Sequence, residues 1–165
     1  IKVLSFANKE KIPMVLGTTG FSDTELKVIK EISKEIPLLI APNTSMGIAT
    51  FKKIIDHSKD VLQDAPSLEI FEKHHEEKKD SPSGTAINLK EQLIGILPYE
   101  DVQIVSLREG DSPGEHSLIL SYEGETLEIS HKVSDRSIFA KGAIIAGKWL
   151  KNKQPGSYTM QDIYS

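Results

Sequence analysis

The chain has 165 residues, 38% of them hydrophobic, enough for one domain or for one domain with part of another. Its formal net charge is -4 with acidic and basic residues interleaved, so it presents no broad cationic face to nucleic acid. Cysteine is absent, which excludes disulfides and thiolate zinc sites and fits a reducing compartment; the longest apolar runs, Pro37 to Pro42 and Ala143 to Gly147, fall far short of a membrane span of ~20 residues, so a soluble, cytoplasmic protein is expected.

The chain opens at Ile1 with no initiator Met, signal peptide or basic leader before its first apolar segment, which suggests an N-terminally truncated sequence. Pro13 to Gly17 predicts a short buried strand, Ser22-Asp-Thr-Glu25 a capping box that starts a helix to about Glu35, and Pro37 to Ala41 a second buried strand. Strand, helix, strand at this spacing is a βαβ unit with a right-handed crossover, and two strands alone would leave a sheet edge open, in agreement with truncation. After Pro42-Asn43 a helical stripe runs through Ile48, Phe51, Ile54, Ile55, Ser58, Val61 and Leu62, followed by a strand at Ser67 to Glu72 and a polar stretch from Lys73 to Gly84. Ala86, Leu89, Leu93 and Leu97 mark the next helix. Strands follow near Val102 to Leu107, Glu115 to Tyr122 and Thr126 to Val133, the last two joined as a hairpin by Glu123-Gly124, and a final helix spans about Ser137 to Lys151. The pattern predicts a partial α/β nucleotide domain followed by an α+β domain with a mostly open sheet.

The densest chemistry lies in His74-His75-Glu-Glu-Lys78-Lys79-Asp80-Ser81-Pro82-Ser83-Gly84-Thr85, between a strand and a helix. Two imidazoles and an ammonium stand just before a helix start whose free N–H groups favour anions, which suits a carboxylated substrate and proton exchange with it. A solvated charged loop with a capped helix is the alternative. Zinc binding is a weaker reading, since adjacent histidines diverge and no His-x-x-x-His or cysteine supports it. Gly17-Thr18-Thr19-Gly20 follows a strand of the βαβ unit, where α/β folds bind ligands, and Ala41-Pro42-Asn43-Thr44-Ser45 would lie beside it. Either stretch also reads as an ordinary turn, and the Gly-x-Gly-x-x-Gly fingerprint is missing. Arg108, Glu115, His116 and Arg136 fall near strand ends; Arg136 could grip a carboxylate bidentately, or simply be a surface arginine.

Together these segments resemble the 4-hydroxy-tetrahydrodipicolinate reductase (dihydrodipicolinate reductase) family from Val15 to about Trp149. The family's Gly-Thr-Thr-Gly turn matches Gly17 to Gly20, its Pro-Asn-x-Ser-x-Gly hinge Pro42 to Gly47, and its Glu-x-His-His-x-x-Lys-x-Asp-x-Pro-Ser-Gly-Thr-Ala signature Glu72 to Ala86. Arg108 to His116 match its Arg-x-Gly-Asp-x-x-Gly-Glu-His segment, and His131, Ser134, Arg136, Phe139, Ala140, Gly142 and Ala143 its last run. Thr44 departs from it, standing where many relatives carry phenylalanine.

The resemblance implies an enzyme of lysine and diaminopimelate biosynthesis that reduces 4-hydroxy-tetrahydrodipicolinate with NADH or NADPH. It implies catalytic roles for His74 and Lys78, the latter as proton donor, and substrate binding by His75, Gly84 and Thr85, with Ser83 and Arg136 helping to neutralise the carboxylates. Gly17, Thr18 and Thr19, with Ala41, Pro42, Asn43 and Thr44, would contact the cofactor; no metal is implied. The expected organisation is the C-terminal part of a Rossmann-type dinucleotide-binding domain at 1–43, a substrate-binding and tetramerisation domain with a mostly open mixed sheet at 44–136, and a C-terminal helix at 137–165 returning to the first domain. A homotetramer is expected. The competing hypothesis is a non-catalytic binding or assembly module, motivated by the missing phosphate loop.

Overall fold

The computed structural model describes residues 1–164. They form two compact units: Ile1–Ala49 with the chain from Ser137 onward, and Thr50–Arg136.

In the first unit, β1 (Met14–Leu16), β2 (Pro37–Ile40) and β7 (Gly156–Tyr158) make a parallel sheet in the order β1-β2-β7. The connection from β1 to β2 is α2 (Asp23–Ser33), started by a complete capping box in which Ser22 and Glu25 satisfy each other's backbone N–H. Because strand side chains alternate, Leu38 and Leu39 feed opposite faces. Leu38 joins Leu4, Leu16, Ile29, Ile32 and Ile36, whereas Leu39 joins Ala41, Ala49, Ala146, Leu150 and Met160. Both leucines are fully buried, each worth about 1.5–3 kcal/mol relative to exposure. The second face is covered by α6 (Ser137–Leu150) and a 3-10 turn at Met160–Tyr164. Three elements depart from the sequence reading: the 3-10 turn, β7 and α1 (Lys2–Lys9). Gly-Ser-Tyr has no apolar alternation and becomes a strand only by pairing with β2; it also adds a third strand where two were expected. In α1 only Leu4 and Ala7 are buried and no side chain caps the N-terminus, so neither a clean stripe nor a start signal marks the helix.

In the second unit, β3 (Ser67–His74) is central in a mixed sheet of order β4-β3-β5-β6, with β4 (Gln103–Arg108), β5 (Glu115–Tyr122) and β6 (Glu125–Lys132). β4 runs parallel to β3, whereas β5 is antiparallel to both β3 and β6. The β5–β6 hairpin turns at Glu123-Gly124, where Gly124 takes φ 85°, a conformation glycine adopts without strain. Helix α5 (Gly84–Ile96) packs on β3 and buries Ala86, Leu89 and Leu93. On β3 the buried residues alternate as Ile70, Glu72 and His74, so an apolar strand face turns polar at its C-terminal end. Glu69, Phe71 and Lys73 point the other way, beside Gln103, Val105 and Leu107 of β4. The strand extends past the expected Glu72 because Lys73 and His74 are still paired to β4. The helix expected from Ile48 to Leu62 is two, α3 (Met46–His57) and α4 (Lys59–Leu62), separated at Ser58, whose φ -103° and ψ 10° leave the helical basin. The division between units falls within α3. No helix among the described residues is long and apolar enough to cross a membrane.

Candidate active site

Three strands and the first turn of α5 converge on the Glu72 carboxylate, which has no exposed surface. Arg108, from the C-terminal end of β4, binds it bidentately: Nη1–H donates to Oε2 at 3.0 Å and Nη2–H to Oε1 at 2.7 Å. The Ser83 N–H donates to Oε1 at 3.2 Å, and His74 Nδ1 lies 2.5 Å from Oε2. Burial alone pushes the Glu72 carboxyl up, but donation from Arg108, the Ser106 hydroxyl, His74 and the Ser83 N–H outweighs it and holds the group below its ordinary value. Glu72 is therefore ionised and can only accept, so His74 Nδ1 must be the protonated nitrogen. Burial lowers the His74 pKa despite the pull of Glu72, leaving the ring neutral near pH 7.

His116 of β5 meets His74 edge to face, with ring centroids 5.2 Å apart. Burial pushes it down to about 3, with the His74 ring adding to the shift, so it too is neutral. Its Nε2 shares a hydrogen bond of 3.1 Å with Ser83 Oγ, which also accepts the Ala86 N–H and so caps α5. Gly84 and Thr85 complete a first turn that holds no acidic residue, an end suited to an anion. Glu72, His74 and His116 present ligand atoms within 4.8 Å of one another, a spacing a cation could use. The Arg108 guanidinium already takes both carboxylate oxygens, so a metal would have to displace it.

The loop leaving β3 is pinned by its backbone. His75 N–H donates to the Ser112 carbonyl at 2.8 Å, and Arg108 Nη2–H also reaches the Asp80 carbonyl at 2.7 Å. Lys78 Nζ donates to both Asp80 oxygens, at 2.7 and 2.9 Å, which holds the Asp80 carboxyl below its ordinary value. His75 and Arg136 line one cleft of about 670 Å³ with Gly110 and Ser134, and Glu76, Glu77, Asp111 and Asp135 share its wall. His74 and Lys78 do not line that cleft; His74 belongs to the buried cluster, within electrostatic reach of Lys78.

In the first unit, Gly17, Thr18 and Thr19 are exposed in the turn after β1. The turn after β2 lies next to it, because Leu16 and Ile40 pair in register and the Ala41 N–H donates to the Leu16 carbonyl. Asn43 Oδ1 accepts the Ser45 N–H at 2.9 Å, and Thr44 Oγ1–H donates to the Phe139 carbonyl at 2.7 Å. A Cβ at Gly142 would overlap the Thr44 carbonyl oxygen, so this glycine lets α6 approach that turn closely. Ala41 is buried and Pro42 exposed.

The structure adds three residues that the sequence reading assigned no role: Glu72, Arg108 and His116. One signal was available for the first, since Glu72 and His74 continue the alternation of Ile70 on a strand and place two polar groups on its buried face.

The described chain matches family models described as dihydrodipicolinate reductase, N-terminus, over residues 1–44 and dihydrodipicolinate reductase, C-terminus, over 47–164. It is 37% identical over 179 residues to a 4-hydroxy-tetrahydrodipicolinate reductase of Colwellia psychrerythraea, covering 97% of this chain and 67% of that protein. The enzyme of the same name from Aquifex aeolicus is 40% identical over 170 residues, covering 93% and 64%. The chain thus spans about two thirds of the length of these relatives. Among solved structures, a dipicolinate-bound dihydrodipicolinate reductase from Paenisporosarcina sp. TG-14 superposes with a TM-score of 0.81 at 21% identity, over 98% of this chain and 68% of the other, so the fold is shared. The chain belongs to the 4-hydroxy-tetrahydrodipicolinate reductase (dihydrodipicolinate reductase) family.

Proposed function

We propose that this chain carries the substrate-handling residues and part of the cofactor site of a cytoplasmic enzyme that reduces 4-hydroxy-tetrahydrodipicolinate to tetrahydrodipicolinate in lysine and diaminopimelate biosynthesis. The observation that carries this reading is the end of β3. A neutral histidine held by a buried carboxylate stands at the N-terminus of α5, in the same unit as a cleft walled by His75 and Arg136. A ring with two carboxylates needs cationic and N–H donors, and these residues supply both. The overall change consumes one hydride and one proton and releases one water. A nicotinamide cofactor, NADH or NADPH, supplies the hydride when bound. Lys78 delivers the proton by leaving Asp80, and His74 assists or orients; His75, Ser83, Gly84, Thr85 and Arg136 bind the carboxylates.

The turn after β1 fits a cofactor. Gly17 has no positive φ, and a Cβ there would meet only the Ala41 carbonyl at an ordinary 3.7 Å, so neither backbone nor packing requires glycine and its open surface suits a ligand. Gly17, Thr18 and Thr19 would hold one side of the nicotinamide half, with Ala41, Pro42, Asn43 and Thr44 along the other. The outer face of the second sheet carries Val105 and Leu107, 37% and 38% exposed, beside Phe71, an apolar surface suited to a homotetramer. Sedimentation at micromolar concentration checks that assembly, and a monomer alone rejects it.

The complete gene product should oxidise NADH or NADPH when supplied with the condensation product of pyruvate and aspartate semialdehyde. Lys78→Ala should lower turnover by about 10²- to 10⁴-fold with little change in apparent affinity, Lys79→Ala should be neutral, and His75→Gln should mainly raise the Michaelis constant. Absence of cofactor oxidation by the wild type rejects the reading. Loss through Lys79 but not Lys78 rejects the residue assignment.

A further inference from the structure

Building on the reading of His74 as a site residue, we propose that Glu72 is a positioning residue that fixes the His74 proton on Nδ1 and leaves Nε2 bare for the substrate, with Arg108 holding Glu72 in place. Four hydrogen bonds converge on two carboxylate oxygens, Arg108 Nη2–H and the Ser83 N–H on Oε1, Arg108 Nη1–H and His74 Nδ1–H on Oε2, and the Ser106 hydroxyl opposite Glu72 on β4 adds to the stabilisation of its charge. No water competes, since Glu72 has no exposed surface. Saturated in this way, the carboxylate cannot rotate, and an ionised carboxylate has no proton to offer, so only one tautomer of a neutral His74 satisfies it. A buried carboxylate that sets the tautomer and orientation of an imidazole acts on the reaction without touching the substrate.

The other nitrogen is kept clear by a separate device. A Cβ at Gly114, in the loop before β5, would stand 2.9 Å from His74 Nε2, so any side chain there would press on that atom. The His74 side chain retains 9% of its surface exposed, and among the described residues its side-chain hydrogen bond is the Nδ1 contact with Glu72. Glu72, Arg108 and Gly114 come from three different segments, yet each constrains the same ring.

The substitution Glu72→Gln separates this role from a merely structural one. At the Oε1 position its NH₂ would face two donors that cannot reverse, Arg108 and a backbone N–H. At the Oε2 position it would face Arg108 and His74, and His74 alone can reverse by moving its proton to Nε2. The ¹⁵N spectrum of the histidine rings in the 165-residue chain should therefore show wild-type His74 protonated on Nδ1 and the Glu72→Gln ring protonated on Nε2. In the complete gene product the same variant should lose turnover on the order of 10²-fold while the Michaelis constant stays within about threefold. A wild-type ring protonated on Nε2 overturns the proposal without any variant, which keeps it testable should Glu72→Gln fail to fold. A folded variant that keeps the Nδ1 proton, or keeps wild-type turnover beside an active wild type, overturns it as well. If the tautomer reverses while the wild type oxidises no NADH or NADPH, the relation between Glu72 and His74 stands and the reductase reading alone falls.

Discussion

Both units end their central strands in turns rich in small polar residues, but they ready those turns for ligands by opposite means. After β1 and β2 the surface of the first unit is mostly backbone: exposed Gly17 to Thr19, an Asn43 that bonds its own turn, and a Thr44 fixed to α6. None of the titratable groups there is buried. After β3 the second unit instead buries an ionised carboxylate and two neutral histidines against a half-buried guanidinium, and lets the loop above them carry the exposed charges. Backbone turns tolerate side-chain change, because their hydrogen bonds remain. A buried ionic cluster does not, because each member removed strands the others.

The largest effect should follow from removing the centre of that cluster. Glu72→Ala takes the carboxylate from the Arg108 guanidinium and leaves the His74 Nδ1–H and the Ser83 N–H without an acceptor, at a cost of about 3–5 kcal/mol. Thermal or urea unfolding should show it plainly, while Thr18→Ala in the turn after β1 should stay within about 0.5 kcal/mol. Equal losses from the two changes would erase the contrast between the units.

The same contrast explains what the sequence could reveal. The βαβ unit, the capping box at Ser22 and the hairpin at Glu123-Gly124 are local signals, written in residues adjacent to the structure they produce. The His74 to Thr85 stretch is equally local. Hidden from such reading is whatever depends on pairing at a distance: β7, which exists only against β2, and the contact of Arg108 with Glu72, which lies 36 residues away. Arg108 and His116 looked like scattered strand-end residues because no spacing shows that parallel and antiparallel neighbours of β3 bring them to one point. Only Glu72 could have been inferred, from its place on the buried face of its own strand.

Acid should distinguish the units less severely. All five histidines lie between His57 and His131, so the first unit has none. His116 is held at about 3 in the folded protein against an ordinary 6.5, so between those values the unfolded chain takes up a proton that folded His116 refuses. Stability therefore falls as pH drops through that window, by about 1.4 kcal/mol per pH unit for that one proton. His74 and His131, also lowered by burial, act in the same direction just below their ordinary value. The opening free energies of amides in β3 to β6, taken from exchange rates corrected for the intrinsic pH dependence, should fall between pH 7 and 5, while those of β1 and β2 hold, and His116→Gln should flatten part of that dependence. An equal fall in both sheets would contradict this account.

The smallest effect tests the contrast on matched chemistry, since a serine caps α2 in the first unit and another caps α5 in the second. Ser22 Oγ accepts the Glu25 N–H at 3.4 Å on an exposed surface, where water replaces it readily. Ser22→Ala should cost about 0.5–1 kcal/mol, the usual value of an N-cap side chain. Ser83 makes the same kind of bond to the Ala86 N–H at 3.2 Å, but it is buried and also partners His116 Nε2 at 3.1 Å. Its removal leaves two buried polar groups without a partner, each dearer to strand than an exposed one, so Ser83→Ala should cost about 2–3 kcal/mol. The ratio matters more than either value, because helix-start chemistry is common to both and cancels. Paired urea titrations of the two variants measure it, and a loss at Ser83 no greater than at Ser22 would show that burial of the cluster adds nothing to its hydrogen bonds.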